Sequence, residues 1–280
     1  MNITWSDVQL RRLKELDANV NDLSAKFDTL TERDRIFQEL ENKLVKQGKQ
    51  RLETFRLTHL RPALCRLEST LVDRLTQNGF VQVATPIMMS KGLLAKMSID
   101  EAHPLFSQVF WIDKNRCLRP MLAPHLYYIL KDLLRVWQKP VRVFEVGPCF
   151  RKESQGAQHS SEFTMLNLVE MGLPEQDRDK RLEELAALMS RAAGIDKFIL
   201  KKETSVVYGE TIDVIAGEEE IEVGSGAMGP HLLDKAWRIN ENWVGIGFGL
   251  ERLLMVRENS ASLSRLGRSL SYLNGIRLNL

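Results

Sequence analysis

The chain has 280 residues, of which 44% are hydrophobic and 27% charged, and these proportions are typical of a soluble globular protein of one or two domains. Lys and Arg number 39 against 37 Asp and Glu, so the net charge of +2 excludes a global positive field for nucleic acid. No apolar run is long enough for a membrane span, and the first residues are too polar for a signal peptide. The cysteines at 65, 117 and 149 lack paired or metal-site spacing, which argues against disulfides and zinc, and we expect a cytoplasmic location.

Residues 1–57 are predicted to form a helical N-terminal segment. Ser6 is placed as an N-cap, and apolar residues recur at helical spacing from Ile36 to Leu44. Between Lys43 and Arg66, seven basic residues stand against one acidic residue, Glu53. This basic run is either a solvated helix face or a surface that contacts phosphates, because like charges on adjacent turns repel unless an anion relieves them.

Residues 58–280 are predicted to form one α+β domain. After a helix with a leucine stripe, the pattern predicts strands at "FVQVATP", "VFWID", "CLRP" and "VRVFEVGPCF", with the helix "APHLYYILKDLLRVW" before the last of them. A helix over 175–194 precedes strands at "ETIDVIAG", "EIEVGSGAMG" and "WVGIGFGLE" and a final helix at "RLLMV". Strands joined by hairpins, with helices between them, favour an antiparallel α+β layer over a doubly wound parallel sheet.

A predicted hairpin from Phe150 to Asn167 gathers charged and aromatic side chains at one end of two strands. Arg151 follows an apolar strand, where a rigidly held arginine can make a bidentate approach to a phosphate or carboxylate. Glu153 can accept hydrogen bonds from an amine-bearing ring, and Phe163 offers a face on which a base stacks. Surface hairpins with an Arg and a Glu are common, but together the three residue types fit a nucleotide cradle. Asn167 lies between apolar neighbours, where its amide is either satisfied by the backbone or kept for a ligand.

Glycines at 245, 247 and 249 mark a strand that another group approaches closely. Their spacing differs from the dinucleotide fingerprint, and the strand runs into a helix that begins with Glu251 and Arg252. The glycines are explained either by tight strand packing or by a ligand above the strand. With the hairpin, they fit ATP bound on an antiparallel sheet.

In combination these stretches resemble the three motifs of class II aminoacyl-tRNA synthetases: "LVDRLTQNGFVQVATP", "FRKESQGAQHSSEF" and "GFGLERLL". Within that class the chain is much more similar to the pyrrolysyl-tRNA synthetase family, through "LRPMLAPHLYYIL", "EFTMLNLVEMG", "VVYGETIDV" and "WVGIGFGLERLL". The resemblance covers nearly the whole chain. It implies the class II antiparallel sheet flanked by helices, with a helical N-terminal extension. The Gly-Ser-Gly-Ala run at 224–227 and the lack of a further N-terminal domain resemble the bacterial form, in which the tRNA-binding part is a separate polypeptide; archaeal forms without that part are the alternative.

The resemblance implies ATP and Mg²⁺ as cofactors. It gives catalytic roles to Arg151, which holds the α-phosphate, and to Arg252, which covers the base and holds the γ-phosphate. Glu153 then binds the adenine edge and Phe163 stacks under the base. Hard oxygen donors suit Mg²⁺. The implied Mg²⁺ ligands are Glu222 and Ser225, which complete the ATP-binding set.

The resemblance also implies an amino-acid pocket that is mostly apolar, as the long aliphatic arm of pyrrolysine requires. Asn167 is its polar exception, and Tyr208 lies on a closing loop where Gly209 permits a bend. Helical spacing alone explains the leucines of this set as ordinary core. His125 and Ser160 depart from the asparagine and leucine that the family pattern predicts. The implied pocket residues are Leu122, Ala123, Leu126, Tyr127, Leu130, Asn167, Val169, Tyr208, Ala227 and Trp243.

The implied reaction is ATP-dependent formation of the pyrrolysine adenylate and its transfer to the 3′ end of an amber-suppressor tRNA. The implied assembly is a homodimer, because the first motif pairs protomers in this class. One alternative is a class II synthetase for another amino acid such as phenylalanine, although a hydrocarbon substrate would leave the Asn167 amide unpaired. The other is a synthetase-like regulatory subunit that charges no tRNA, a kind of protein that usually lacks an ATP-binding arginine or the metal carboxylate.

Overall fold

The computed structural model describes residues 3–152, 160–205, 207–260 and 262–280. The helices are α1 (Asp7–Glu15), α2 (Val20–Leu23), α3 (Leu30–Thr54), α4 (Ala63–Gln77), α5 (Lys91–Ala95), α6 (Pro104–Gln108), α7 (Ala123–Leu133), α8 (Arg178–Ala192), α9 (Asp234–Trp237) and α10 (Leu250–Arg257). The strands are β1 (Val81–Gln82), β2 (Met88–Ser90), β3 (Arg116–Leu118), β4 (Val141–Phe150), β5 (Glu162–Met171), β6 (Phe198–Ser205), β7 (Gly209–Ala216), β8 (Ile221–Gly229), β9 (Trp243–Gly249), β10 (Tyr272–Leu273) and β11 (Ile276–Arg277). Across these described ranges, no helix combines the length and the apolar character that crossing a bilayer requires.

The first of two compact units comprises Met1–Ala63 and Ser264–Leu280 and contains α1 to α3 and the β10–β11 hairpin. Ser6 caps α1 as predicted: its hydroxyl accepts from the Gln9 backbone N–H, and the Gln9 side chain accepts from the Ser6 N–H. The apolar stripe of α3 packs on α1, with Leu44 in a core that includes Trp5. The helices of this unit therefore form on the predicted periodicity.

Part of the basic run is neutralised inside this first unit. Arg51 lies 3.1 Å from a carboxylate oxygen of Asp17, and Arg56 pairs with Glu53. Lys43, Lys46 and Lys49, by contrast, are exposed along α3. The three lysines are therefore open to solvent, as are Arg51, Arg56 and Arg61 of the same run.

The second unit, Leu64–Leu263, is built on a seven-stranded sheet in the order β1-β4-β5-β9-β8-β7-β6. Strand β1 runs parallel to β4, whereas every other pairing is antiparallel. The sheet is therefore mixed rather than wholly antiparallel, because a long connection, not a hairpin, joins β1 to β4. Helices α8 and α10 cover one face, and α7 packs over the other.

Several predicted elements differ from the structure in extent. Only Val81–Gln82 of "FVQVATP" is a strand, and "VFWID" is wrong as a strand because it contributes a single bridge, Trp111 to Cys117. Strand β3 pairs instead with β2. Strand β6 went unpredicted because most of its residues are exposed at the sheet edge, so no buried alternation marks the sequence.

Other predictions hold closely. The stripe of Leu64, Leu67, Leu71 and Leu75 on α4 is buried, and Gly79 ends that helix with a φ of +78°. Strand β4 has the predicted bounds, and α8 ends before Gly194. The two strands of the predicted hairpin, β4 and β5, are the second and third strands of the seven-stranded sheet.

Candidate active site

A row of directly opposed residues crosses four strands and forms the floor of a cavity of about 440 Å³. Asn167 on β5 lies opposite Gly247 on β9, which lies opposite Ser225 on β8, which lies opposite Asp213 on β7. Directly opposed residues share one face of a sheet. The glycine at the centre of the row leaves space above the sheet, which agrees with the glycine-rich strand read from the sequence.

The structure brings most of the predicted site residues to this one cavity. Among the described residues, the exceptions are Leu122 and Leu126. Both are fully buried in the core and are not part of the cavity lining. Glu153 lies outside the described residues. The predicted residues in the lining are Arg151, Phe163, Glu222, Ser225, Arg252, Ala123, Tyr127, Leu130, Asn167, Val169, Tyr208, Ala227 and Trp243.

One end of the cavity carries the arginines. Arg151 Nε donates to the Pro120 carbonyl at 2.9 Å, and its guanidinium lies 5.3 Å from the centre of the Phe163 ring. Arg252 Nη1 donates to the Glu222 carbonyl at 3.1 Å. Arg252 Nη1 also lies 3.6 Å from Glu222 Oε1, so two cationic groups stand at the charged end beside one carboxylate. That end is suited to polyphosphate.

The same end holds oxygen donors for a hard cation. Ser225 Oγ donates to Asp213 Oδ1 at 2.6 Å, which leaves the serine lone pairs free to accept or to ligate. Burial raises the pKa of Glu222, Arg252 opposes that shift, and the negative charge of Asp213 adds to it. A divalent cation would relieve the repulsion between the Glu222 and Asp213 carboxylates. Together with the Ser225 hydroxyl, these oxygen donors fit Mg²⁺. Asp213 was not predicted; its signal is a carboxylate within the apolar strand "ETIDVIAG".

The other end of the cavity is aromatic. Tyr127 stacks on Trp237 with ring centres 5.4 Å apart and meets Trp243 edge-on at 5.7 Å. Burial raises the pKa of Tyr127 and of Tyr208, so both hydroxyls stay protonated at neutral pH. These rings form the walls of an apolar compartment.

Asn167 is the amide within this compartment. Among the described residues, its side chain has no hydrogen-bond partner, although it lines the cavity. In the described part of the chain, the backbone therefore does not satisfy this side-chain amide, which lies in the cavity lining.

A buried ion pair supports the charged end from behind. Arg119 and Glu145 are each 2% exposed, and Arg119 Nη1 lies 2.6 Å from Glu145 Oε1. The Arg119 carbonyl accepts from Phe150 N–H, and the next carbonyl, of Pro120, accepts from Arg151. The pair thus fixes the segment that aims Arg151. This ion pair was not predicted; its signal in the sequence is a lone carboxylate inside the apolar strand "VRVFEVGPCF".

His125, which departs from the family pattern, belongs to this buried network. Thr85 Oγ1 donates to Glu145 Oε2 at 2.7 Å and lies 3.1 Å from His125 Nδ1. Since the hydroxyl proton is committed to the carboxylate, His125 Nδ1 carries the proton of the neutral ring. Burial lowers the pKa of His125, with Glu145 opposing the shift. The histidine therefore serves as a neutral donor in the first turn of helix α7.

Glu251, at the start of α10, links that helix to strand β5. Both of its carboxylate oxygens accept from the Thr164 backbone N–H at 2.9 Å, and the side chain is buried. Thr164 follows Phe163 and Arg252 follows Glu251, so this contact keeps the stacking ring and the second arginine at one end of the cavity.

Comparison with known proteins places this arrangement in a family. The class II core domain of tRNA synthetases, in the group labelled F, matches residues 53–273. The crystal structure of pyrrolysyl-tRNA synthetase from Desulfitobacterium hafniense superposes with a TM-score of 0.93 at 55% identity over 99% of both chains. A second structure, the D. hafniense pyrrolysyl synthetase PylSc, has a TM-score of 0.90 at 53% identity over 99% of this chain and 96% of that one.

Likeness to more distant synthetases is confined to part of each protein. The threonine–tRNA ligase of Wolbachia from Brugia malayi is 28% identical over 164 residues, which are 55% of this chain. The matched region spans 25% of that ligase. The two pyrrolysyl structures, by contrast, match over 96% or more of both chains. The chain belongs to the pyrrolysyl-tRNA synthetase family of class II aminoacyl-tRNA synthetases, enzymes that activate an amino acid and charge tRNA with it.

Proposed function

We propose that this chain activates pyrrolysine as its adenylate and transfers it to the 3′ end of the cognate amber-suppressor tRNA. This proposal rests on the similarity of the chain to a pyrrolysyl-tRNA synthetase, with 55% identity over 99% of both chains. The composition of the cavity supports it. One continuous space joins a charged end to an aromatic end, as a reaction between ATP and a bulky amino acid requires.

The aromatic end fits a long side chain with one polar group. Tyr127, Trp243 and Ala227 supply apolar walls, and the Asn167 amide is available to a carbonyl of the substrate. A wholly hydrocarbon side chain such as that of phenylalanine would leave this amide unpaired, which costs about 1–3 kcal/mol for a buried group. The space at this end of the cavity also supports activity with other bulky Nε-acyl lysines.

The chemistry needs positioning more than acid–base catalysis. The substrate carboxylate attacks the α-phosphorus and pyrophosphate leaves; a terminal ribose hydroxyl of the tRNA then attacks the acyl carbonyl and AMP leaves. Arg151 and Arg252 would neutralise charge that develops on the phosphates, and Phe163 would stack on the base. Mg²⁺, held by Glu222 and Ser225 with Asp213 beside them, would supply further neutralisation of the polyphosphate.

The proposal extends to the assembly. We expect a homodimer in the cytoplasm, formed through the first motif, and a separate tRNA-binding polypeptide as a possible partner. Residues 1–57 remain the predicted tRNA-contacting segment, and 58–280 the predicted catalytic domain. Light scattering at micromolar concentration tests the dimer, and a monomer mass would contradict it.

The decisive experiment separates activation from charging. ATP–pyrophosphate exchange is measured with pyrrolysine or an Nε-acyl lysine and, in parallel, with phenylalanine; aminoacylation of the amber-suppressor tRNA is then measured with and without the tRNA-binding polypeptide. Exchange and charging with the lysine derivatives support the proposal. Exchange with phenylalanine alone would identify a synthetase for another amino acid. The absence of exchange with every substrate would favour a regulatory protein.

A further inference from the structure

The tip between β6 and β7 lies against the aromatic end of the cavity. Its residues Val207 and Tyr208 are half-buried and pack on the core that includes Trp243, with the Tyr208 and Trp243 ring centres 6.3 Å apart. Within the tip, the Val207 and Tyr208 N–H groups donate to Ser205 Oγ at 3.2 and 3.3 Å. Gly209 follows with a φ of +70°, which a turn at this point requires.

A hydrogen bond from outside the hairpin holds this tip. His231, in the segment between β8 and α9, bonds through Nε2 to the Tyr208 carbonyl. Its Nδ1 accepts from the Leu233 backbone N–H at 3.2 Å. Since Nδ1 is an acceptor, the proton of the neutral ring is on Nε2, which therefore donates to Tyr208. The imidazole is used at both nitrogens, and its orientation is fixed.

The same segment is tied to the cavity wall. The His231 N–H donates to Asp234 Oδ2 at 2.7 Å, and Trp243 Nε1 donates to the same oxygen at 2.9 Å. Asp234 is 2% exposed, so these bonds are shielded from water. A continuous path of hydrogen bonds thus runs from the Trp243 wall through Asp234 and His231 to the Tyr208 backbone.

We propose that His231 is a positioning residue that latches Tyr208 over the amino-acid end of the cavity, so that its Nε2–H donor strengthens binding of the amino acid and leaves binding of ATP unchanged. The inference rests on the proposed function, since it assigns the aromatic end to the amino acid. The charged end lies with Arg151 and Arg252, which take no part in this path. Loss of one hydrogen bond that closes the site should therefore raise the KM for the amino acid roughly three- to tenfold.

Two substitutions separate the two nitrogens. In His231→Asn the side-chain oxygen can still accept from Leu233 N–H, as Nδ1 does, but no donor reaches Tyr208. In His231→Gln the longer amide places an N–H donor near the position of Nε2. His103 provides a matched control, because its Nδ1 accepts from the N–H of the leucine two residues on, Leu105, at 3.1 Å, in the same way as His231.

The test combines ATP–pyrophosphate exchange, using an Nε-acyl lysine, with hydrogen exchange of peptides that contain Tyr208. We expect H231N to raise the KM for the amino acid but not for ATP and to speed exchange at Tyr208, H231Q to restore both, and H103N to resemble the wild type. Unchanged KM and exchange in H231N, or equal impairment in H231N and H231Q, would overturn the latch. If the wild type activates no lysine derivative, the proposed function fails, and hydrogen exchange then tests the latch by itself. Faster exchange at Tyr208 in H231N than in the wild type would still support the contact between His231 and Tyr208. Unchanged exchange would overturn that contact.

Discussion

At the scale of single residues, the site depends on side chains that orient other side chains. Asp213 is the case at the charged end of the cavity, since it accepts a hydrogen bond from the Ser225 hydroxyl at 2.6 Å and thereby directs the serine lone pairs away from itself. Asn at this position can still accept that bond but lacks the negative charge beside Glu222.

We expect Asp213→Asn to raise the Mg²⁺ concentration required for half-maximal pyrophosphate exchange by about 10- to 100-fold, the usual effect of losing an outer partner of a metal ligand. Glu210→Gln is the control, because Glu210 lies on the same strand but is exposed and outside the cavity lining. The measurement is a Mg²⁺ titration at saturating amino acid. An unchanged titration in D213N would remove Asp213 from the metal site.

The buried Arg119–Glu145 pair leads to a stability prediction. Glu145→Gln keeps the shape but leaves the Arg119 charge uncompensated in the interior, so the free energy of unfolding should fall by about 3–5 kcal/mol. Lys91–Glu101 is the matched exposed pair, with its side chains 41% and 77% exposed, and Glu101→Gln should cost less than about 1 kcal/mol. Urea unfolding followed by circular dichroism measures both. Equal small losses would show that the interior pair is not a principal support of the site.

At the scale of secondary-structure elements, the glycines of β8 and β9 have different roles. A Cβ on Gly224 would lie 2.6 Å from the Phe248 ring and 2.9 Å from the Gly247 carbonyl. A Cβ on Gly247 would meet only the mobile end of Met165 at 2.9 Å and lie 4.0 Å from Asn167 Nδ2. The first glycine is therefore required by packing, and the second keeps the cavity open.

We expect Gly224→Ala to destabilise the fold by about 1–3 kcal/mol, since a ring and a backbone carbonyl must move. Gly247→Ala should change the free energy of unfolding by less than about 1 kcal/mol and instead raise the KM for the amino acid, because the methyl group narrows the floor beside Asn167. Unfolding curves and exchange kinetics on the same two variants give the comparison. If Gly247→Ala lowered the stability and Gly224→Ala raised the KM instead, the packing role and the cavity role would have been assigned to the wrong glycines.

Elements with a strong periodic pattern were predictable, and those without one were not. The leucine stripe of α4 and the apolar run of β4 are buried, and burial requires apolar residues at regular spacing, which can be read from the sequence. Edge strand β6 buries little, so nothing in its sequence forces a recognisable alternation. At the site, sequence motifs were enough to predict Arg151, Asn167 and Arg252. Asp213 and His231 could be assigned only from the structure, because cross-strand register and tertiary contacts bring them to the site and neither can be read from a sequence.

At the scale of the whole molecule, the charge is nearly balanced, so attraction to tRNA must come from local surfaces. In the first unit, Arg51 and Arg56 already have carboxylate partners, whereas Lys43, Lys46 and Lys49 are exposed at successive turns of α3. Among the residues that the structure describes, these lysines have no carboxylate partner, so they are the first members of the predicted tRNA-contacting run to test.

Reversing two of these charges tests that surface. If Lys46 and Lys49 each contact a phosphate, the double variant K46E/K49E should weaken tRNA binding and lower the slope of log affinity against log salt by about two, since fewer counterions are released. Lys180→Glu on α8 is the control for a charge reversal outside this surface, because that lysine is also highly exposed but lies in the other unit. Filter binding or anisotropy at several salt concentrations measures the slopes. An unchanged slope in the double variant would assign these lysines to solvation alone, and tRNA recognition would then have to be sought on other surfaces.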